Sequence, residues 1–217
     1  MITQSHRELP EYWEQAKQEL MKRDRIMRKL IPQFGDLRLA GRGEPFLTLC
    51  RSIIGQQVSV ASADAVWVRF LQQCVKCTPA NVIHAGAPQL IACGLSKRKT
   101  EYILDLAQHF QEKRLHVEKW AKMADEDVIS ELIQIRGISR WTAEMFLIFN
   151  LLRPNILPLD DLGLLKGISI NYFSGEPVSR SDAREVAANW DSWRTVATWY
   201  LWRSLDSLTV PDREISK

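Results

Sequence analysis

Along the run opened by Glu44-Pro45, apolar residues fall at Phe46, Leu49, Cys50, Ile53 and Ile54. This is the i, i+3, i+4, i+7 spacing of a helix that buries one face. That period recurs along the chain and constrains its fold more than any other feature. It predicts a helical stretch from Pro10 to about Lys29, with apolar residues at Trp13, Leu20, Ile26, Met27 and Leu30 and a stop at Pro32. Further helices are expected over 58–73, 88–93, 97–112, 125–134, 141–151, 161–170, 181–189 and 192–206. No segment keeps the strict alternation of a half-buried strand. The breaks are short: Gly41-Arg42-Gly43, Ala85-Gly86-Ala87-Pro88, Arg153-Pro154-Asn155 and Ser174-Gly175-Glu176-Pro177. The expected fold class is all-α.

A chain of 217 residues suffices for one large domain, or for two lobes sharing a core. Its net charge of +3 permits a polyanionic partner without demanding one. No apolar run reaches the roughly eighteen residues of a membrane span. The opening MITQSHRELPEYWEQ mixes acidic and basic residues and does not read as a signal peptide. A cytoplasmic monomer is expected, associated with the nucleoid if bacterial. Cys74-Val-Lys-Cys77 could open a metal or redox site, but no second CxxC or histidine pair follows at ligand spacing. Reduced thiols on helices are the simpler expectation.

The densest chemistry lies in Leu132-Ile-Gln-Ile-Arg-Gly-Ile-Ser-Arg-Trp141. Asp125, Glu126 and Asp127 suit a helix start, and Val128, Ile129, Leu132 and Ile133 form its apolar stripe. Gly137 can take the positive φ that ends such a helix. Trp141-Thr142-Ala143 then begins another, whose first backbone N–H groups face the turn. With Arg136 and Arg140 adding charge, this is a site suited to one phosphate. On the residues alone, a plain helical hairpin remains open.

Ile135-Arg136-Gly137-Ile138-Ser139-Arg140-Trp141-Thr142-Ala143 resembles the helix–hairpin–helix of a DNA glycosylase superfamily, whose pattern reads I-x-G-(I/V)-G-x-x-T-A. Leu157-Pro158-Leu159-Asp160-Asp161-Leu162-Gly163-Leu164 resembles that family's Pro-and-Asp element. Ile53-Ile54-Gly55-Gln56-Gln57-Val58-Ser59 and Gly94-Leu95-Ser96-Lys97-Arg98-Lys99 are similar to two further blocks. The ordered set is specific, and the 3-methyladenine DNA glycosylase II branch is the nearest likeness. Ser139 stands where the family usually has glycine, which predicts a slightly remodelled turn.

The resemblance implies two lobes, 1–44 plus 156–217 and 45–155, the latter containing the hairpin 125–151, with damaged double-stranded DNA in the cleft between them. Some relatives carry an extra N-terminal β-domain, for which the helix expected from near Pro10 leaves no room. The resemblance also implies base flipping and a carboxylate that stabilises an oxocarbenium-like sugar. Of the two adjacent aspartates, Asp160 is expected to cap a helix and Asp161 to catalyse; both could be caps. Bifunctional relatives carry a lysine where this chain has Trp141, so a monofunctional enzyme without strand cleavage is implied. The last cysteine is Cys93, so no iron–sulfur cluster is expected, and no cofactor is required. Trp141 and Trp202 are implied base contacts, with Met145 where a relative has tyrosine. Eight tryptophans are present, most of them expected in the core. Gln57, placed by its spacing on the apolar stripe, is either a buried amide or a side chain entering the minor groove. Gln56 orders the local backbone. Gly137, Ser139, Arg140, Thr142 and Lys97 are implied DNA contacts, and the carbonyls of Ile133, Ile135 and Ile138 imply a monovalent cation site. The alternatives are a hairpin DNA-binding protein without catalysis and a glycosylase for other damaged or deaminated bases.

Overall fold

The computed structural model describes residues 9–74 and 76–209, with side chains through 206. Among the described residues every regular element is helical, and no helix is long and apolar enough to cross a membrane. The chain divides into two compact units at Arg42 and Leu152.

The unit spanning Arg42–Leu151 contains six helices: α3 (Pro45–Gly55), α4 (Val60–Gln73), α5 (Pro79–Ala92), α6 (Lys97–Gln111), α7 (Asp125–Leu132) and α8 (Arg140–Phe149). Serine or threonine hydroxyls accept a backbone N–H at the starts of α4, α5, α6 and α8. Such caps satisfy donors that have no partner inside the helix. A file of aromatic rings forms the core. Phe46 of α3 meets Phe110 of α6 at 5.2 Å between ring centres. Phe110 then meets Trp120 at 6.3 Å, and Trp120 meets Phe146 of α8 at 5.4 Å. Burial of Phe46 and of Phe146 contributes about 1.5–3 kcal/mol each, and the file fixes α8 against α3 and α6.

The other unit is built from α1 (Trp13–Arg23), α2 (Arg25–Leu30), α9 (Leu162–Tyr172), α10 (Arg180–Ala187) and α11 (Arg194–Thr209). Where the spacing predicts one helix from Pro10, the structure has two. Asp24 takes extended backbone and its Oδ1 accepts the N–H groups of Ile26 and Met27. Its Oδ2 accepts from the Tyr172 hydroxyl at 2.7 Å and the Trp190 indole at 2.9 Å, so this buried carboxylate is satisfied by four donors. The break at Ala85–Pro88 is a kink within α5 at Gly86, and the helix begins earlier, with Thr78 as its cap and Pro79 in its first turn. Trp13, Trp199 and Tyr200 cluster where α1 meets α11. Helices α9 and α11 touch closely at Gly167, where a Cβ would stand 3.1 Å from the Leu201 carbonyl oxygen. That contact sets Trp202 beside the start of α9.

Candidate nucleic-acid interface and catalytic carboxylate

In the first unit, the chain leaves α7 at Ile133 and turns into α8 through local backbone hydrogen bonds. The Ile135 N–H donates to the Leu132 carbonyl at 3.2 Å and the Ile138 N–H to that of Ile135 at 3.1 Å. Gly137 takes φ +85, as its position in the turn predicted. Space also demands glycine: a Cβ there would stand 2.2 Å from Cδ2 of Tyr102 on α6. Ser139 has φ −84 and ψ 167, ordinary extended backbone, so a glycine is not needed there. The remodelling at this position is a helix cap, with the Ser139 hydroxyl accepting the Thr142 N–H at 3.2 Å.

The two arginines do not add the charge expected of them. Arg140 donates to both oxygens of Glu126, at 2.9 and 2.5 Å, and from Nε to Glu144 at 3.1 Å. The hydrogen bond from Arg140, aided by its charge, holds the Glu126 carboxyl below the usual range. Arg136 pairs with Glu101 at 3.0 Å, and its backbone N–H donates to Asp105 at 2.8 Å. Helices α6 and α7 thus bring acids that already balance both guanidinium groups. What the hairpin offers an anion is backbone. Among the described residues none accepts from the N–H of Gly137, Ser139 or Arg140, and these donors stand where α8 begins.

Gln57 is not on the apolar stripe. Helix α3 ends at Gly55, and Gln56 leaves helical conformation with φ −60 and ψ 128. The next residue is thereby carried off the helix face, exposed, at φ +55. The buried-amide alternative is thus excluded. Arg98 donates to the Gln57 Oε1 at 3.3 Å, and the Lys99 ammonium donates to the Ile54 carbonyl at 2.8 Å. Gln56 donates from Nε2 to the Gly137 carbonyl at 2.9 Å. Lys97, the first residue of α6, is exposed. Trp141, in the first turn of α8, is 39% exposed, and Met145 one turn later is half-buried.

The second unit carries the aspartates, and here the cap is not the residue expected. Asp161, not Asp160, caps α9. The Asp161 N–H donates to the Pro158 carbonyl at 3.0 Å, closing a turn that brings its side chain over the helix start. Its Oδ1 accepts the Leu164 N–H at 2.7 Å and the Trp202 indole N–H at 2.8 Å. Asp160 lies outside the cap and pairs with Arg180 at 2.6 Å. Gly163 leaves the space this arrangement needs, since a Cβ there would meet Asp161 Oδ1 at 3.0 Å and Trp202 Cδ1 at 3.2 Å. A carboxylate held by fixed donors such as these keeps one orientation and can stabilise positive charge without reorganising. Gly163 and Tyr102 are positions that the sequence patterns alone do not single out. Gly163 lies within the quoted Asp-Leu-Gly, whereas nothing in the sequence marks Tyr102.

Among the described residues, no three histidine, cysteine, aspartate or glutamate side chains gather as a metal site. The four cysteines are free thiols. Cys77 donates to the Cys74 carbonyl at 2.9 Å, and burial, chiefly, pushes its thiol up to about 12.

Residues 50–192 match the family model described as HhH-GPD superfamily base excision DNA repair protein. The chain belongs to that helix–hairpin–helix superfamily. Within it, the likeness runs to proteins named for 3-methyladenine. A DNA-3-methyladenine glycosylase of Bacillus subtilis is 29% identical over 199 residues, covering 86% of this chain and 66% of that protein. The chain therefore spans just under two thirds of that relative's length. The crystal structure of a DNA-3-methyladenine glycosidase from Bacillus halodurans superposes with a TM-score of 0.83 at 30% identity, over 89% of this chain and 90% of that one. A Schizosaccharomyces pombe 3-methyladenine DNA glycosylase, solved in complex with abasic DNA, gives 0.77 at 27% identity, over 92% and 99%.

Proposed function

We propose that the protein is a monofunctional DNA glycosylase that extrudes an alkylated purine of the 3-methyladenine type from double-stranded DNA and hydrolyses its N-glycosidic bond. The observation that carries this reading is the Asp161 carboxylate, oriented by the Leu164 N–H and the Trp202 indole. As the bond breaks, its electron pair leaves with the base and positive charge builds on the sugar. Asp161 stabilises that charge and orients the water that adds to the anomeric carbon. Water is the only co-reactant, so no cofactor enters the chemistry. A protein that only bound DNA would need the hairpin but no carboxylate held in this way.

The hairpin serves as the phosphate grip through the backbone N–H groups of Gly137, Ser139 and Arg140, with Thr142 and Ser139 holding the cap. Lys97 adds a phosphate contact at the start of α6. Gln57, exposed on its left-handed turn, occupies the space left in the duplex by the extruded nucleotide. The carbonyls of Ile133, Ile135 and Ile138 are neutral oxygens suited to a monovalent cation. The protein acts as a monomer.

Trp141 supports both the reaction type and the preference for alkylated bases. An indole has no amine to form a Schiff base, and its face attracts a cationic base by about 0.5–2 kcal/mol. A duplex with one alkylated purine should yield the free base and a backbone that stays intact until alkali is added. Borohydride should trap no enzyme–DNA adduct; a trapped adduct would overturn the monofunctional assignment. Trp141→Ala should lose more activity on cationic methylated purines than on neutral hypoxanthine, by up to ~2 kcal/mol of barrier. Equal losses on both would reduce Trp141 to a steric wall.

Trp202→Phe removes the indole donor to Asp161 and leaves the cap from Leu164 in place. Hydrogen bonds to charged groups contribute about 1.5–3 kcal/mol. The single-turnover rate of base release should therefore fall about tenfold or more, with affinity for undamaged duplex unchanged. A wild-type rate in Trp202→Phe would show that the indole N–H does not matter to the carboxylate.

A further inference from the structure

Gln56 and Gln57 are neighbours, yet their side chains meet different surroundings. Gln57 is exposed, whereas Gln56 is half-buried and donates to the Gly137 carbonyl at 2.9 Å. That bond joins two segments distant in sequence: the turn that presents Gln57 and the turn of the hairpin. The peptide unit it holds, Gly137–Ile138, is also fixed by the Ile138 N–H bond to the Ile135 carbonyl. It lies between the Gly137 and Ser139 N–H groups, which no described residue uses.

The Gln57 side of this junction is equally constrained. A glutamine keeps φ +55 only where its surroundings over-determine the conformation. Lys99 fastens the last turn of α3 through the Ile54 carbonyl, and Arg98 reaches the Gln57 amide oxygen. Gln56 is the one of these fastenings that ends on the hairpin.

Resting on the glycosylase reading above, we propose that Gln56 is a positioning residue that ties the phosphate-holding hairpin to the Gln57 turn. Seating the hairpin on a phosphate then fixes how far Gln57 enters the duplex beside the extruded nucleotide. Gln56 touches neither base nor sugar in this account. Its loss separates two quantities that would otherwise move together: affinity, which the hairpin backbone supplies, and extrusion, which the coupled turn supplies.

Gln56→Met keeps the length of the side chain and removes the donor. A duplex with an alkylated purine next to 2-aminopurine reports unstacking as a rise in fluorescence. At saturating protein, that rise and the single-turnover rate of base release should both fall about tenfold in Gln56→Met. The dissociation constant for undamaged duplex should stay within about twofold of wild type. Gln56→Lys, which retains a donor nitrogen on a long side chain, should recover most of the fluorescence rise. An unchanged fluorescence rise in Gln56→Met, an equal loss of affinity and extrusion, or no recovery in Gln56→Lys would overturn the coupling. Wild-type protein that released no base from this duplex would overturn the glycosylase reading itself, and the coupling with it.

Discussion

Asp161→Asn should slow base release by about 10²–10³-fold, the scale lost when a preorganised electrostatic group is removed from a charge-building step. The substitution is clean because the two roles of Asp161 separate. Asparagine caps a helix about as well as aspartate, so it can still accept the Leu164 N–H that Oδ1 accepts at 2.7 Å. It can also accept the Trp202 indole. The fold and the affinity for undamaged duplex should therefore persist while the charge is lost. Asp160→Asn provides the control. Asp160 is half-exposed in its ion pair with Arg180, and exposed pairs contribute about 0–1 kcal/mol. Asp160→Asn should release base at close to the wild-type rate. An inactive Asp160→Asn beside an active Asp161→Asn would reverse the assignment.

Gly137→Ala should weaken binding to every duplex alike, damaged or not, because a phosphate contact carries no sequence information. Two costs add. Alanine at φ +85 is disfavoured by about 1–2 kcal/mol. Its Cβ would also stand 2.2 Å from Tyr102 Cδ2, close to the root of the ring, and displacing the ring costs about 1–3 kcal/mol. The hairpin should yield first, and affinity should drop about 10–100-fold. Adding Tyr102→Ala removes the clash but leaves the backbone cost, so the double variant should recover part of the affinity. Fluorescence anisotropy on damaged and undamaged duplexes measures both. Unchanged affinity in Gly137→Ala would contradict the phosphate grip.

The parts of this account that were legible in the sequence are the ones set locally. The hairpin was legible because Gly137 is a glycine between two apolar stripes, and the structure places it at positive φ. Helices α6 and α8 begin where serine precedes them, at Ser96 and Ser139, since a cap acts within three residues. Thr78-Pro79 carries the same signal at the start of α5, but the breaks at Gly86 and Pro88 mask the helix in the sequence.

What was illegible depends on groups far away in the sequence. Arg136 and Arg140 read as free charge, but Glu101 and Glu126 come from other helices to neutralise them. Either of two adjacent aspartates can cap a helix, and the choice of Asp161 rests on the Pro158 turn and on the indole of Trp202 in α11. Gln57 fits the helical period arithmetically, but the period fails once the chain leaves helical conformation at Gln56. The single helix expected from Pro10 failed at Asp24, whose carboxylate is drawn inward by Tyr172 and Trp190. For the arginines, the aspartates and the first helix, a long-range partner overrode a local pattern.

The central claim is that this chain excises alkylated purines using Asp161. Its most direct test is chromatography of the free bases released from methylated duplex DNA by wild-type protein, Asp161→Asn and Asp160→Asn. Wild type and Asp160→Asn should release methylated purines while the DNA backbone remains whole, and Asp161→Asn should release almost none. Wild-type protein that bound the DNA but freed no base, or an Asp161→Asn that freed it at the wild-type rate, would contradict the account.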